Sequence, residues 1–193
     1  LVAYRALRFA QPEQLVEMAN KMAGDKDPSV RREVALSLRD MPYDQAKDAL
    51  TKVIAGYDGQ DRWYLEAIGA AAVGNEERIY SEMVRPALAD KSPAEWDDPA
   101  KNLAWRLRVP QAIDDLHETI KAQKPPIDDF RRLVLAYASY RNEEERKMYK
   151  GRLEQLAKEP GFQGEDYQVT IAEVIRKDLN GLKGEDLTAS YLI

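Results

Sequence analysis

The sequence predicts an all-α protein, a right-handed α-solenoid of about five stacked helix pairs. Three observations support this prediction. Apolar residues recur at intervals of three and four positions along most of the 193-residue chain, which is the period of an α-helix. The ten prolines and ten glycines mostly separate these periodic segments. A similar pattern returns in alternate segments at intervals of 32 to 37 residues, the length of one helix pair.

The apolar period predicts eleven helices, and capping residues mark several of their starts. Asp27 before Pro28 and Asp98 before Pro99 each place a capping side chain next to a proline at the first helical position. Asn142 precedes three glutamates, which the dipole at a helix start favours. In chain order the predicted helices are Leu1–Phe9, Pro12–Ala23, Pro28–Asp40, Tyr43–Gly56, Arg62–Val73, Glu76–Ala89, Pro99–Arg108, Pro110–Ala122, Asp128–Tyr140, Glu143–Lys158 and Tyr167–Leu179.

Glycines and one proline predict where helices end or bend. Gly24, Gly56 and Gly74 follow periodic segments at positions where a left-handed residue commonly ends a helix. Pro86 lies inside the predicted helix Glu76–Ala89 and is expected to kink or split it.

The repeat is visible in a small residue that recurs between larger apolar ones in the second helix of each pair. A small side chain there allows two crossing helices to approach at about 8 to 10 Å. Stacked pairs then bury each other's flanks, so stability is a sum of repeat and neighbour contributions. The aligned residues, separated by 32, 37, 32 and 36 positions, are Ala35, Ala67, Ala104, Ala136 and Ala172.

Composition excludes several classes of function. The chain contains no cysteine, which removes disulfides, thiolate zinc sites, thiol nucleophiles and covalent c-type haem attachment within this segment. No apolar run approaches the roughly 18 residues of a membrane span, so we expect no integral membrane segment. The 29 basic and 34 acidic residues give a net charge of −5, which argues against nucleic-acid binding. Because the chain begins with Leu1 inside a helical pattern, we expect it to be an excised or processed piece of a larger protein, without a signal peptide.

One segment is similar to a known repeat. Residues 27–38, DPSVRREVALSL, resemble the start of the second helix of a HEAT repeat in its short bacterial form. The acid and arginine of this pattern return at Asp61-Arg62 and near Asp128, whereas no first helix carries the Trp, Leu-Gly and Tyr pattern of tetratricopeptide repeats. Pro86 agrees with the kinked first helices of HEAT repeats.

A narrower resemblance covers roughly residues 27–113. Residues 57–69, YDGQDRWYLEAIG, together with 31–38 and 102–107, resemble the helical region of large exported proteins of the planctomycete and verrucomicrobial type. In that family a sugar-dehydrogenase-like β-propeller precedes the HEAT region and a cytochrome c domain follows it. The resemblance implies a periplasmic or otherwise extracytoplasmic spacer or docking scaffold between redox domains. Since this chain lacks Cys-x-x-Cys-His, neither redox activity is carried over to it.

Few residues here suggest chemistry. His117, the single histidine, has Ile120 and Lys121 at the positions where a helical metal site places its second ligand, so we expect a surface or interface histidine. The loop from Asp58 resembles a calcium loop, but Gly69 stands where its bidentate glutamate belongs. Adjacent acids are not interpreted as catalytic pairs, because neighbours on a helix point about 100° apart and two of the three pairs lie at helix starts; the pairs are Asp97-Asp98, Asp114-Asp115 and Asp128-Asp129. We therefore expect no catalytic residue, no cofactor and no metal.

One cluster of aromatic and arginine residues remains as a candidate protein-binding site. Its members lie on predicted second helices, which line the concave face of a solenoid, and such side chains dominate protein interfaces. The alternative is structural: the tryptophans fill core between repeats and the arginines pair with acids of adjacent repeats. The cluster comprises Arg31, Arg32, Arg62, Trp63, Tyr64, Trp105 and Arg106.

Residues 1–193 are thus interpreted as a single HEAT-like repeat domain, a fragment of a larger multidomain protein. The first functional hypothesis is a non-catalytic interaction or spacer scaffold with protein partners. The second is the helical part of an extracytoplasmic sugar-dehydrogenase-like protein whose catalytic and haem domains lie outside this chain. The sequence of the flanking gene decides between them, because only the second requires a propeller before Leu1 and Cys-x-x-Cys-His after Ile193.

Overall fold

The fold is known from a computed structural model, which describes residues 2–180. Of these residues 77% are helical and none forms a strand, so the all-α prediction is confirmed. None of the helices in this part of the chain combines the length and apolar character needed to cross a bilayer. The eleven α-helices within the described residues are α1 Val2–Ala10, α2 Leu15–Met22, α3 Pro28–Ser37, α4 Tyr43–Ala55, α5 Arg62–Ala71, α6 Glu76–Ile79, α7 Asp98–Leu107, α8 Pro110–Gln123, α9 Ile127–Val134, α10 Glu143–Leu156 and α11 Glu165–Val174.

The predicted helix around Pro86 is broken, as its proline requires. After α6 the chain passes through a π-helical turn, Tyr80–Val84, and then a 3-10 turn, Arg85–Leu88, that contains Pro86. Proline has no N–H to donate and its ring crowds the preceding turn, so regular α-helix does not continue through it.

Side-chain caps hold several helix starts. Asp27 accepts from the Ser29 amide over 2.8 Å, and the Asn142 side chain accepts from the Glu145 amide over 2.8 Å, as predicted. At α7 the cap is Asp97 rather than Asp98, because the Asp97 carboxylate accepts from the Ala100 amide. The helix therefore begins one residue earlier than its proline suggests.

The described residues form two compact units, 2–109 and 110–180. In the first unit, α3 packs against α1 and α5, and α5 packs against α7, so the odd-numbered helices form one layer. Helices α2 and α4 and the π-helical turn after α6 pack beside one another as a second layer. In the second unit, considered by itself, α9 packs against α11 and α8 against α10.

The aligned alanines lie in the core in four of five cases. Ala35, Ala67, Ala104 and Ala136 are buried, consistent with small residues at helix crossings. Ala172 is exposed, and its neighbour Ile171 is buried instead. The fifth copy of the pattern therefore does not share the burial of the other four.

Ion pairs link neighbouring odd-numbered helices within each unit. An arginine of one helix meets a carboxylate on, or capping, the next. The pairs are Arg5–Glu33 at 2.7 Å, Arg8–Glu33 at 3.4 Å, Arg32–Asp61 at 3.3 Å and Arg106–Glu66 at 2.9 Å in the first unit, and Arg131–Asp166 at 3.9 Å in the second.

Candidate protein-interaction surface

The predicted aromatic and arginine cluster lies on three helices of one layer, α3, α5 and α7. A step of one residue along a helix turns the side chain by about 100°, so neighbouring members of the cluster face different surroundings. Some members belong to the interior of the first unit and others to its surface.

Tyr64 is an interior residue, and the half-buried Arg31 contacts it. The Tyr64 ring is fully buried, and its hydroxyl donates to the Val53 carbonyl over 2.7 Å. Arg31 donates through Nε to the Tyr64 oxygen over 3.1 Å, and through its two other nitrogens to the carbonyls of Gly56 and Asp25. Burial raises the pKa of Tyr64. All three guanidinium nitrogens of Arg31 and the hydroxyl of Tyr64 therefore have hydrogen-bond partners within the first unit.

Gly56 explains how Arg31 reaches its carbonyl partners. A Cβ atom at Gly56 would lie 2.7 Å from the Arg31 Nε, closer than real contacts allow. Its φ is −84°, so the predicted left-handed end of α4 is wrong at this residue. Gly24 likewise lacks the predicted positive φ, whereas Gly74 has one, at 81°.

Arg32 and Arg106 form the ion pairs described above and are partly exposed. Arg106 also lies directly over Gly69, where a Cβ would come within 2.0 Å of its guanidinium carbon. The missing side chain at residue 69 therefore lets Arg106 cross the surface of α5 and reach Glu66.

Trp105 is half-buried near the end of α7. The guanidinium of Arg108 lies 4.5 Å from the centre of its ring, and Arg108 Nε donates to the Trp105 carbonyl over 2.9 Å. Arg108 has a φ of 53°, the left-handed conformation that ends a helix and is uncommon for residues other than glycine. Burial lowers the pKa of Arg108, and the nearby Arg106 lowers it further.

Arg62 and Trp63 are the exposed members of the cluster. Trp63 is 70% exposed, so the alternative in which it fills core between repeats is wrong. The buried side of α5 carries Tyr64, Leu65 and Ile68. On the opposite side lies a stripe that we call the α5 outer strip, formed by Arg62, Trp63, Glu66 and Ala70.

Exposed apolar side chains are concentrated on the odd-numbered helices. Within residues 2–180, nine large apolar side chains are exposed, and eight of them lie on odd-numbered helices or in the turns that directly follow them. Only Met148, on α10, belongs to an even-numbered helix. Most of them were not predicted as binding residues from the sequence. Their positions on the helix sides opposite the buried residues could have indicated them. The eight are Val2, Leu7, Phe9, Leu36, Trp63, Val73, Leu135 and Val169.

A shallow cavity of about 410 Å³ adjoins two of these side chains in the first unit. It lies beside α1, α2 and α3, and Phe9 and Leu36 form part of its wall together with Leu15 and Met41. Arg8 and Asp40 supply its charged edge. A cavity of this lining suits an apolar side chain more than a charged small molecule.

His117 is buried, so the predicted surface or interface position is wrong. Only 6% of the residue is exposed, and its Nδ1 lies 2.7 Å from the hydroxyl oxygen of Tyr137. This hydrogen bond satisfies a polar ring inside the core of the second unit. Burial lowers the pKa of His117, the nearby Arg152 and Lys121 lower it further, and Glu118 and Asp114 oppose the shift.

No group of three or more potential metal-ligating side chains occurs within the part of the chain that the structure describes. Comparison with protein-family profiles, curated protein sequences and solved structures finds no match. The exposed apolar side chains of the odd-numbered helices are therefore the main functional candidate among the described residues.

Proposed function

We propose that this chain is a non-catalytic protein-interaction scaffold of HEAT-like helix pairs, which binds partners through the exposed faces of the odd-numbered helices in each unit. The observation that carries the proposal is the uneven distribution of exposed apolar side chains, eight of nine on that one set of helices. Single exposed apolar residues are common on any protein surface, but scattered residues would not favour one set of helices so strongly.

Trp63 is the strongest anchor on this face. Tryptophan is enriched among the residues that dominate interface energetics, and its ring buries a large area with few rotatable bonds. Covering about 150 Å² of the indole would contribute roughly 4 kcal/mol before the costs of association.

The helix packing supports a HEAT-like stack as the scaffold. In each unit alternate helices pack side by side, four of the five aligned alanines are buried, and ion pairs join neighbouring odd-numbered helices. These are features expected of repeats that contact only their neighbours. A right-handed arrangement of about five pairs is part of this proposal.

A display library of random dodecapeptides tests the binding proposal. We expect selection on the full chain to yield peptides whose binding is lost in Trp63→Ala and retained in Met148→Ala, the matched exposed apolar residue on an even-numbered helix. Circular dichroism and thermal unfolding establish that both variants are folded. A failure to select any binder, or equal binding of the selected peptides to both variants, would overturn the proposal.

A further inference from the structure

We infer that the partner segment carries a carboxylate next to a large apolar side chain, and that Arg62 and Trp63 receive these two groups. The inference rests on the proposed function and specifies the chemistry of the partner at the α5 outer strip.

The carboxylates near the α5 outer strip already have partners. Asp61 accepts from the amides of Trp63 and Tyr64, over 2.8 and 3.2 Å, and from Arg32 over 3.3 Å. Glu66 accepts from Arg106 over 2.9 Å. No further acid on the strip is left to neutralise a cation.

Arg62 is the charged residue of the strip that has no partner within the described residues. It is exposed and forms no ion pair or side-chain hydrogen bond with any residue of the described range 2–180. The guanidinium of an exposed, unpaired arginine can donate two parallel hydrogen bonds to one carboxylate. Charge complementarity at this strip therefore favours an acidic partner.

Trp63 follows Arg62 directly, and both lie on the solvent side of α5, so one partner segment can touch both. Ala70 lies two turns further along the strip, about 10 Å from Trp63 along the helix axis. Glu66 lies between them and is held by Arg106, so this part of the strip is already occupied by an ion pair. The exposed indole of Trp63 is therefore the surface that a large apolar side chain of the partner would cover.

A peptide fits this surface better than a nucleic acid. Tryptophan and arginine also stack on bases, but the other exposed apolar residues of the odd-numbered helices are mostly aliphatic and cannot stack. The net charge of −5 opposes a polyanion at long range, whereas a short acidic segment needs only a local cation.

The same peptide library tests this inference when it is selected in parallel on the wild type and on Arg62→Gln. We expect Asp or Glu to be enriched within a few positions of an aromatic or aliphatic residue on the wild type, and this enrichment to disappear on Arg62→Gln. Lys26→Gln, which removes an exposed cation of the loop before α3, is the matched control and keeps the enrichment.

Synthetic pairs then measure the effect. For a selected peptide and its copy with Asn and Gln in place of the acids, we expect the acidic form to bind the wild type more tightly by up to about fivefold, the upper limit for an exposed ion pair. Arg62→Gln should bind both forms equally. The indole N–H signal of Trp63 in a nitrogen–proton correlation spectrum reports whether the peptide occupies the strip.

The outcomes separate the two proposals. Peptides that require Trp63 but show no acidic preference would overturn this inference and leave the interaction scaffold standing. The absence of any binder would overturn the scaffold proposal itself. Tighter binding of a single-stranded oligonucleotide than of any selected peptide would overturn the assignment of an acidic peptide.

Discussion

The Nε–H of Arg31 donates to the hydroxyl oxygen of Tyr64, whose own proton is donated to the carbonyl of Val53. This chain of hydrogen bonds connects α3, α5 and α4 inside the first unit. Replacing Tyr64 with Phe removes the shared hydroxyl and leaves a buried carbonyl without its donor, so we expect the free energy of unfolding to fall by about 1 to 3 kcal/mol. Urea unfolding monitored by circular dichroism measures the change.

Tyr149 provides a matched control for this substitution. Its ring is also fully buried, but its hydroxyl has no hydrogen-bond partner among the residues that the structure describes. Removing an unsatisfied buried hydroxyl costs nothing or stabilises, so Tyr149→Phe should leave the free energy of unfolding unchanged or raise it. Equal losses in the two variants would contradict this assignment of hydrogen bonds.

Trp63 and Trp96 differ in how much the fold depends on them. Trp63 is 70% exposed and Trp96 is buried, with 7% exposed. We expect Trp63→Ala to change the free energy of unfolding by no more than about 0.5 kcal/mol, whereas Trp96→Ala should lower it by about 3 to 5 kcal/mol because it leaves a cavity. Denaturant unfolding of both variants checks this, and a large loss in Trp63→Ala would mean that the indole supports the fold.

Two glycines should respond in opposite directions to alanine. Gly59 has a φ of 84°, and a Cβ there would lie 2.9 Å from the Cδ of Pro99. Gly151 lies inside α10 with open space around its Cα. We expect Gly59→Ala to lower the free energy of unfolding by at least about 1 to 2 kcal/mol, and Gly151→Ala to raise it by about 0.5 to 1 kcal/mol.

Thermal and urea unfolding of the two glycine variants gives the sign in each case. A loss of stability in Gly151→Ala would show that another part of the chain occupies the space beside α10. A neutral Gly59→Ala would show that the loop before α5 adapts to the added methyl group.

His117 should make the stability of the protein depend on pH. Because burial lowers its pKa in the folded state, the unfolded chain binds the proton more readily near its ordinary value of about 6.5. The contribution of the neutral histidine is therefore complete above about pH 7 and is lost as pH falls below about 6.5, by at most about 1.4 kcal/mol per pH unit.

The groups that face His117 come from several elements of the second unit. Tyr137 shares its hydrogen bond, Arg152 reaches it from α10, and Asp114, Glu118 and Lys121 lie on its own helix. We expect the wild type to lose about 1 kcal/mol more than His117→Gln between roughly pH 7.5 and 5.5. Urea titrations at the two pH values measure the difference, and parallel losses would contradict it.

The sequence was sufficient to predict the helical class and several helix starts, because capping and the apolar period depend on residues close together in the chain. It could not separate Arg31 from Arg32. The two are identical in type and adjacent, and their roles depend on Tyr64 and Gly56 for one and on Asp61 for the other.

The position of His117 could not be predicted from the sequence either. Its polarity and its neighbours predicted a surface position, but the Tyr137 hydroxyl that makes burial possible lies twenty residues further along the chain. The sequence likewise did not decide whether Trp63 is buried or exposed, since tryptophan is common both in cores and at interfaces. The resemblance to the helical region of exported dehydrogenase-like proteins stays a prediction.

The ion pair between Arg32 and Asp61 has a consequence for how such a chain gains length. Asp61 caps α5 in the same way that Asp27 caps α3. In a tandem duplication of the gene segment for α3 and α4, the second copy of Asp27 would take the place of Asp61 opposite the first copy of Arg32. The added helices would then bring with them the carboxylate that this ion pair requires.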